Sequence, residues 1–180
     1  EGSVKVNRLS RLGCLYMEEL WEFEKAAKYF KKAIKLETDP YELFDYERYL
    51  ARAYYMMGRM EKAKEHARSS LKNFKKSGRK EEDYLEFRGY APARLASFGW
   101  IYLCLGDAEK AKQLFRKMAE IMRCKSCRFK GCYESFLYMG YVYLGQGNRK
   151  LALEQFRKAS QLNPDHNEAR CAVKKLEQLI

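Results

Sequence analysis

Three cysteines are the residues of this chain whose type and spacing come nearest to chemistry: Cys124 and Cys127, two residues apart, and Cys132 shortly after them. A turn can bring two thiolates at that separation onto one tetrahedral zinc ion, and the third cysteine adds a ligand, which leaves the fourth to be found. The same pair can instead close a redox disulfide, and the plainer alternative is free thiols packing a long connection. Elsewhere no catalytic constellation emerges. The two histidines, His66 and His166, sit in neither a nucleophile elbow nor a metal-hydrolase motif, and the carboxylates alternate with lysines as on solvated helix faces. Gly145-Gln146-Gly147-Asn148-Arg149-Lys150 superficially suggests a phosphate loop, but such a loop follows a strand, whereas a tyrosine-rich helical pattern precedes it here. The expectation is a non-enzyme with no cofactor, zinc at Cys124, Cys127 and Cys132 being the alternative.

Elements must position any such residues, and composition limits which ones. With 47% hydrophobic residues in 180, the chain can bury a core without metal or disulfide staples, and with three prolines and eleven glycines long stretches are free to be helical. An all-β sandwich or barrel is disfavoured. The longest apolar stretch, from Phe136 to Gly145, is too short to span a bilayer, so the expectation is a soluble chain with no membrane span. Six cysteines, most of them inside apolar helical patterns, fit a reduced compartment, and cytoplasmic is the expected location. Glu1 is not a methionine and no basic-then-apolar leader follows it, which is compatible with a piece of a longer protein. The 36 basic against 24 acidic residues, a formal charge of +12, predict attraction to anionic partners.

A repeat runs through this composition. Ala51, Tyr54, Gly58 and Ala63 recur as Gly99, Tyr102, Gly106 and Ala111, and again as Gly140, Tyr143, Gly147 and Ala152, with offsets of three, four and five residues each time. The first unit is looser: Gly13 and Tyr16 precede Ala26, Phe30 and Ala33, with one residue more between tyrosine and alanine. Each mark has a mechanical reason. The small residue admits a partner helix closely, and the tyrosine fills the space one turn on. Gly58, Gly106 and Gly147 end the helix in the left-handed conformation a C-terminus often needs, with Asp107 and Asn148 following as N-caps. Pro40, Pro92 and Pro164 fall near helix starts, where a missing amide costs little.

On these residues the chain resembles the tetratricopeptide repeat family, whose unit is a helix–turn–helix with this order of small, aromatic, glycine, alanine, aromatic, alanine and proline. The unit from Phe136 to Pro164 follows the family pattern almost completely, and the second lacks the later aromatic, having Ala67 there. The resemblance implies an all-α fold, a right-handed α-solenoid of about four helix–turn–helix repeats with a C-terminal capping helix. The expected repeats span about 5–37, 41–76, 92–122 and 133–162 within a single domain, with a capping helix over 165–180. Ala26, Ala63, Ala111 and Ala152 are 37, 48 and 41 residues apart, wider than the family period of about 34 residues, so inserted connections are expected at 77–91 and 123–132. In that arrangement His166, opening the capping helix on the edge that carries the cysteines, is a better fourth zinc donor than Cys104.

The resemblance also implies a function: a non-catalytic adaptor or scaffold that binds a peptide or helical segment of a partner in a concave groove. Carried over position by position, the lining includes Arg48, Arg52, Tyr55, Trp100, Leu137 and Tyr141. Arg48 and Arg52 are i and i+4, so they share a helix face and can offer forked donors to a carboxylate or phosphate, with Trp100 and Tyr141 as flat anchors. The competing reading is an ordinary helix stripe paired with Asp45 or Glu47. The expected partner is a protein or peptide, an acidic one by charge. The family's subset that clamps C-terminal carboxylates wants polar or basic residues where Ser10, Ala96 and Leu137 stand, so that ligand is not implied. A second class is a nucleic-acid-binding solenoid using a basic edge, with Lys72, Lys75, Lys76, Arg79 and Lys80 in one connection and Arg123, Lys125, Arg128 and Lys130 in the other. A third is a regulatory module of a larger enzyme.

Overall fold

The computed structural model describes residues 2–86, 91–121 and 133–179, and all regular structure among them is helical. Helix α1 (Gly2–Cys14) runs into a π-helical turn (Leu15–Glu19) and is answered by α2 (Phe23–Leu36). Then come α3 (Pro40–Met56), α4 (Met60–Lys76) and the short α5 (Glu81–Glu86), which falls in the first expected connection. Next are α6 (Ala91–Leu105), α7 (Ala108–Ile121), α8 (Tyr133–Gly145), α9 (Arg149–Leu162) and α10 (Asn167–Glu177). The described residues fall into two compact units, unit 1 drawn from 1–87 and 100–107 and unit 2 from 88–99 and 108–180, so that α6 contributes to both.

Local chemistry sets the ends of these helices. Asp39 caps α3, its Oδ1 accepting from the amides of Tyr41 at 2.8 Å and Glu42 at 3.0 Å, and Pro40 supplies a first residue whose φ is already helical. Asn148 Oδ1 accepts from the Leu151 amide and starts α9 in the same way. Gly58 and Gly106 in unit 1 and Gly147 in unit 2 have φ of 71°, 92° and 76°, the left-handed conformation that closes a helix C-terminus. In each, the amide after the glycine returns to the carbonyl of the repeat tyrosine, as from Arg59 to Tyr54 at 2.9 Å.

The first hairpin has one residue too many for that turn, and the backbone absorbs it by widening. Leu20 donates to the Leu15 carbonyl five residues back, and Glu22 donates to Tyr16 six residues back, at 2.8 Å. Trp21 then occupies the left-handed position that glycine fills in the other turns, with φ of 55°. Its ring lies 5.4 Å from that of Phe23. Packing of this side chain holds a conformation that costs an ordinary L-residue about 1–2 kcal/mol.

Inside each hairpin the small residue of the pattern faces the aromatic one. A Cβ placed on Gly13 would lie 2.7 Å from the Phe30 ring, and one on Gly140 would lie 2.5 Å from that of Phe156; Gly99 and Phe115 are closer still. The second hairpin replaces both partners, with Ala51 at the glycine position and Ala67 at the aromatic one, each fully buried. Where the aromatic is lost, the glycine is no longer needed. Helix α10 packs on α9 and buries Ala169, Ala172 and Leu176; at Asn167–Glu177 it starts two residues after the expected capping helix and stops short of Gln178 and Leu179. Ile180, the last residue of the expected capping helix, lies outside the described residues.

Candidate protein-interaction surface

Of the six residues expected to line a groove, four meet in unit 1, and they meet in the interior. The first helix of the second hairpin, α3, turns Arg48 and Arg52 toward the first hairpin, and Arg52 is only 3% exposed. Arg48 donates from Nη2 to Asp45 Oδ1 at 2.8 Å and from Nε to the same atom at 3.2 Å, and its guanidinium lies 4.0 Å from the Tyr49 ring centre. Burial acts to lower its pKa; Tyr49 and Asp45 outweigh that, so the net direction is upward and the group stays charged. Arg52 reaches back to the π-helical turn, where Glu18 Oε1 lies 3.4 Å from Nη1, and its guanidinium stands 4.4 Å above Trp100. Trp100 meets Tyr55 edge-on, their ring centres 6.1 Å apart.

Two thiols complete this cluster. Burial pushes the Cys14 thiol up to about 11, helped by Glu18, and the Cys104 thiol up to about 12. At neutral pH both are protonated and inert as nucleophiles. Burial raises the Tyr55 hydroxyl pKa as well.

The other two expected lining residues lie in unit 2 and are buried too. Leu137 is core, and the Tyr141 hydroxyl donates to Glu168 Oε1 of α10 at 2.7 Å while its ring meets Phe156 edge-on. All six side chains are therefore already engaged by the chain itself. The reason is the size and type of the neighbours: Trp100 and Glu18 cover Arg52, and Glu168 reaches Tyr141, where smaller residues would leave these faces open.

The cysteine cluster, Cys124, Cys127 and Cys132, lies outside the described residues, as does the second basic connection at 123–132. Among the described residues no group of three or more histidines, cysteines and carboxylates is placed to hold a metal. His166 precedes α10 with its ring 4.8 Å from that of Tyr133. Of the first basic connection, Lys72, Lys75 and Lys76 project from α4 beside Arg68 and Leu71, and Arg79 stacks 3.4 Å from the Tyr41 ring centre.

An open feature of unit 1 lies between its second helices and α3. A cleft of about 550 Å³ runs between α2, α3 and α4, floored by Ala27, Ile34, Leu50, Tyr54 and Met57. Lys28, Lys31, Lys32 and Lys35 of α2 line one wall, and Arg59, which precedes α4, stands on the other. All five cations are exposed, and none has a carboxylate partner among the described residues. Lys31 is 5.3 Å from the Tyr54 ring centre and Lys62 of α4 is 5.6 Å from it, so lysines approach that ring from two helices. One acid, Glu24 of α2, lines the same cleft. The buried Glu47 is committed elsewhere: it bonds His66 Nδ1 at 2.6 Å and accepts from Ser69 Oγ at 3.0 Å, which holds the His66 ring stacked on Tyr54.

Reading the sequence for family groove positions passes over this wall. Its signal is nevertheless present: lysines at i, i+3, i+4 and i+7 along α2, with Glu24 the only acidic residue of that helix.

Family comparison agrees with the hairpin architecture. Three models, each described as tetratricopeptide repeat, match residues 7–40, 48–77 and 133–166, together more than half of the chain. The chain belongs to the tetratricopeptide repeat family. It is thus an all-α protein of helix–turn–helix repeats, a scaffold of the kind used for protein interaction. No curated protein matches the sequence. Among solved structures, the anaphase-promoting complex hetero-tetramer Cut9–Hcn1 is similar at 18% identity with a TM-score of 0.46, over 93% of this chain and 29% of that one. This chain therefore spans less than a third of that protein's length. MamA is similar at 20% identity and a TM-score of 0.41, over 88% of this chain and 78% of that one. The thermophilic protein TTC0263 of Thermus thermophilus is similar at 19% identity and a TM-score of 0.42, over 97% of this chain and all of its own. No helix among the described residues is long and apolar enough to cross a membrane.

Proposed function

We propose that this tetratricopeptide repeat chain works by binding, without chemistry of its own, and that it receives a segment of another protein in the cleft between α2, α3 and α4. The observation that carries the reading is five exposed cations, none paired with a carboxylate among the described residues, set around an apolar floor. Apolar floors with a charged rim are how recognition surfaces combine binding energy with orientation. Arg52 serves the same function indirectly, as a tie from α3 to Glu18 of the first hairpin that helps keep the cleft in shape. The test is affinity capture by the full chain and by Lys31→Glu/Lys32→Glu, with helicity compared by circular dichroism. Loss of partner proteins from a folded double variant is expected; undiminished capture removes the cleft as the receiving surface.

A further inference from the structure

We infer that the segment received by this cleft is an acidic amphipathic helix lying along α2, its aliphatic face on the floor and its carboxylates against the lysine row. The inference rests on the reading of the cleft as the receiving surface and adds the chemistry of what enters it.

Spacing gives the first argument. Lys28, Lys31, Lys32 and Lys35 stand at i, i+3, i+4 and i+7, which at about 1.5 Å per residue places them along about 10 Å of one helix face. A second helix laid alongside rises at the same rate, so carboxylates at its own i, i+3, i+4 and i+7 positions come opposite the four lysines in register. An extended strand does not match: its same-side residues recur only about every 7 Å.

Charge distribution gives the second. A phosphate is held by groups that converge on one point, such as arginine forks or a helix N-terminus. Here four of the cations are lysines strung in a line and one is an arginine across the floor. That layout suits several single carboxylates better than one doubly charged group.

The floor gives the third. Ile34 and Met57 are half-buried and aliphatic, and the floor's aromatic ring, Tyr54, is buried and already stacked on His66. Aliphatic side chains such as leucine fit such a surface, whereas single-stranded nucleic acid binds by stacking bases on exposed rings.

The experiment uses the full chain and labelled synthetic peptides of about eighteen residues, long enough to form about five helical turns. One carries leucines at i, i+3, i+4 and i+7 flanked by glutamates; a second has each glutamate replaced by glutamine; an RNA oligomer of matched charge is the third probe. Three variants are compared with the natural chain: Lys28→Glu/Lys31→Glu/Lys32→Glu/Lys35→Glu, a control Arg116→Glu/Lys117→Glu/Lys150→Glu/Lys174→Glu on exposed positions of unit 2, and Met57→Ser on the floor. The two quadruple variants have the same net charge, so a difference between them reports position. The acidic peptide is expected to bind about tenfold or more tightly than the glutamine peptide, to weaken with salt, and to lose at least about tenfold on the cleft reversal while the control changes it less than about threefold. Met57→Ser is expected to weaken both peptides.

Two results overturn the inference while leaving the cleft in place: equal binding of acidic and glutamine peptides with both sensitive to Met57→Ser, or RNA binding lost on the cleft reversal with no peptide binding. If instead the acidic peptide binds and neither Met57→Ser nor the cleft reversal alters it more than the control does, the cleft reading itself falls.

Discussion

Two of the cation–aromatic pairs of unit 1 use the same chemistry in opposite ways. Under α3, a cation lies over an aromatic ring where Arg52 meets Trp100 at 4.4 Å; between α2 and α4, Lys31 meets Tyr54 at 5.3 Å. What separates them is the carboxylate and the water. Arg52 is 3% exposed and has Glu18, and Arg48 has Asp45, whereas Lys28, Lys31, Lys32, Lys35 and Arg59 are in solvent with no carboxylate partner among the described residues. A buried cation must be paired at once or its desolvation is uncompensated, so the arginines became part of the interior. An exposed cation is hydrated until a partner arrives, so the lysines remain available. A basic residue beside an aromatic ring is therefore not yet a binding site; its exposure decides that.

Substitutions can break this contrast, and the largest effect belongs to the interior. Arg52→Glu leaves a buried charge facing Glu18 and is expected to destabilise unit 1 by about 3–5 kcal/mol, read by urea denaturation with the fluorescence of the adjacent Trp100. A cost below about 1 kcal/mol on such a scale would mean that water reaches the arginine cluster and that the contrast is one of degree.

Next comes a test that burial alone is costly without any charge. Gly140→Ala drives a methyl group into the Phe156 ring and is expected to lose about 1–3 kcal/mol by thermal denaturation. Phe156→Ala empties a buried ring position and costs about 3–5 kcal/mol by itself, but in that background Gly140→Ala is expected to add little further loss, the two residues then matching Ala51 and Ala67 of the second hairpin. A further loss as large as in the natural chain would show that the close approach of Gly140 and Phe156 is not what limits the site.

Alkaline pH probes the interior again, more gently. The folded pKa values of Cys14 and Cys104, about 11 and about 12, lie above the ordinary thiol value of 9.0, so the fold favours their neutral forms. Their contribution to stability is fully present below pH 9.0 and is lost as pH rises through about 11 to 12. Alkylation at about pH 8 followed by peptide mass spectrometry should show both reacting at least about tenfold more slowly than a thiol of ordinary pKa in a small peptide. Equal rates would mean that the cluster opens to solvent.

Smallest of all should be the stability effect of Lys31→Glu/Lys32→Glu, within about 0.5 kcal/mol, because both lysines are exposed and neither holds a carboxylate among the described residues. A loss of about 2 kcal/mol or more, on the scale of a broken buried interaction, would place these lysines with the arginines and end the distinction.

Much of the architecture was legible in residue spacing. Glycine four residues after the tyrosine marks the turns because only a left-handed backbone closes them, and a small residue three before it marks the close approach to the next helix's aromatic. The extra residue between Tyr16 and Ala26 was visible too, but not how the chain absorbs it, since a π-helical turn and a left-handed Trp21 depend on the packing of Trp21 against Phe23. The groove positions were less legible. Family spacing says which way Arg48, Arg52 and Tyr141 point along their helices, but not whether Glu18, Trp100 or Glu168 arrives to cover them, because those partners come from 27 to 48 residues away in sequence.

Sequence alone determined the helical hairpins, their turns and the excess of positive charge, since each depends on neighbours within a few residues or on a simple count. Tertiary structure alone decided which positive charges are paired inside and which remain outside. Pairing and desolvation are set by what lies across a helix interface, and a one-dimensional spacing does not say which side of an arginine is closed to water.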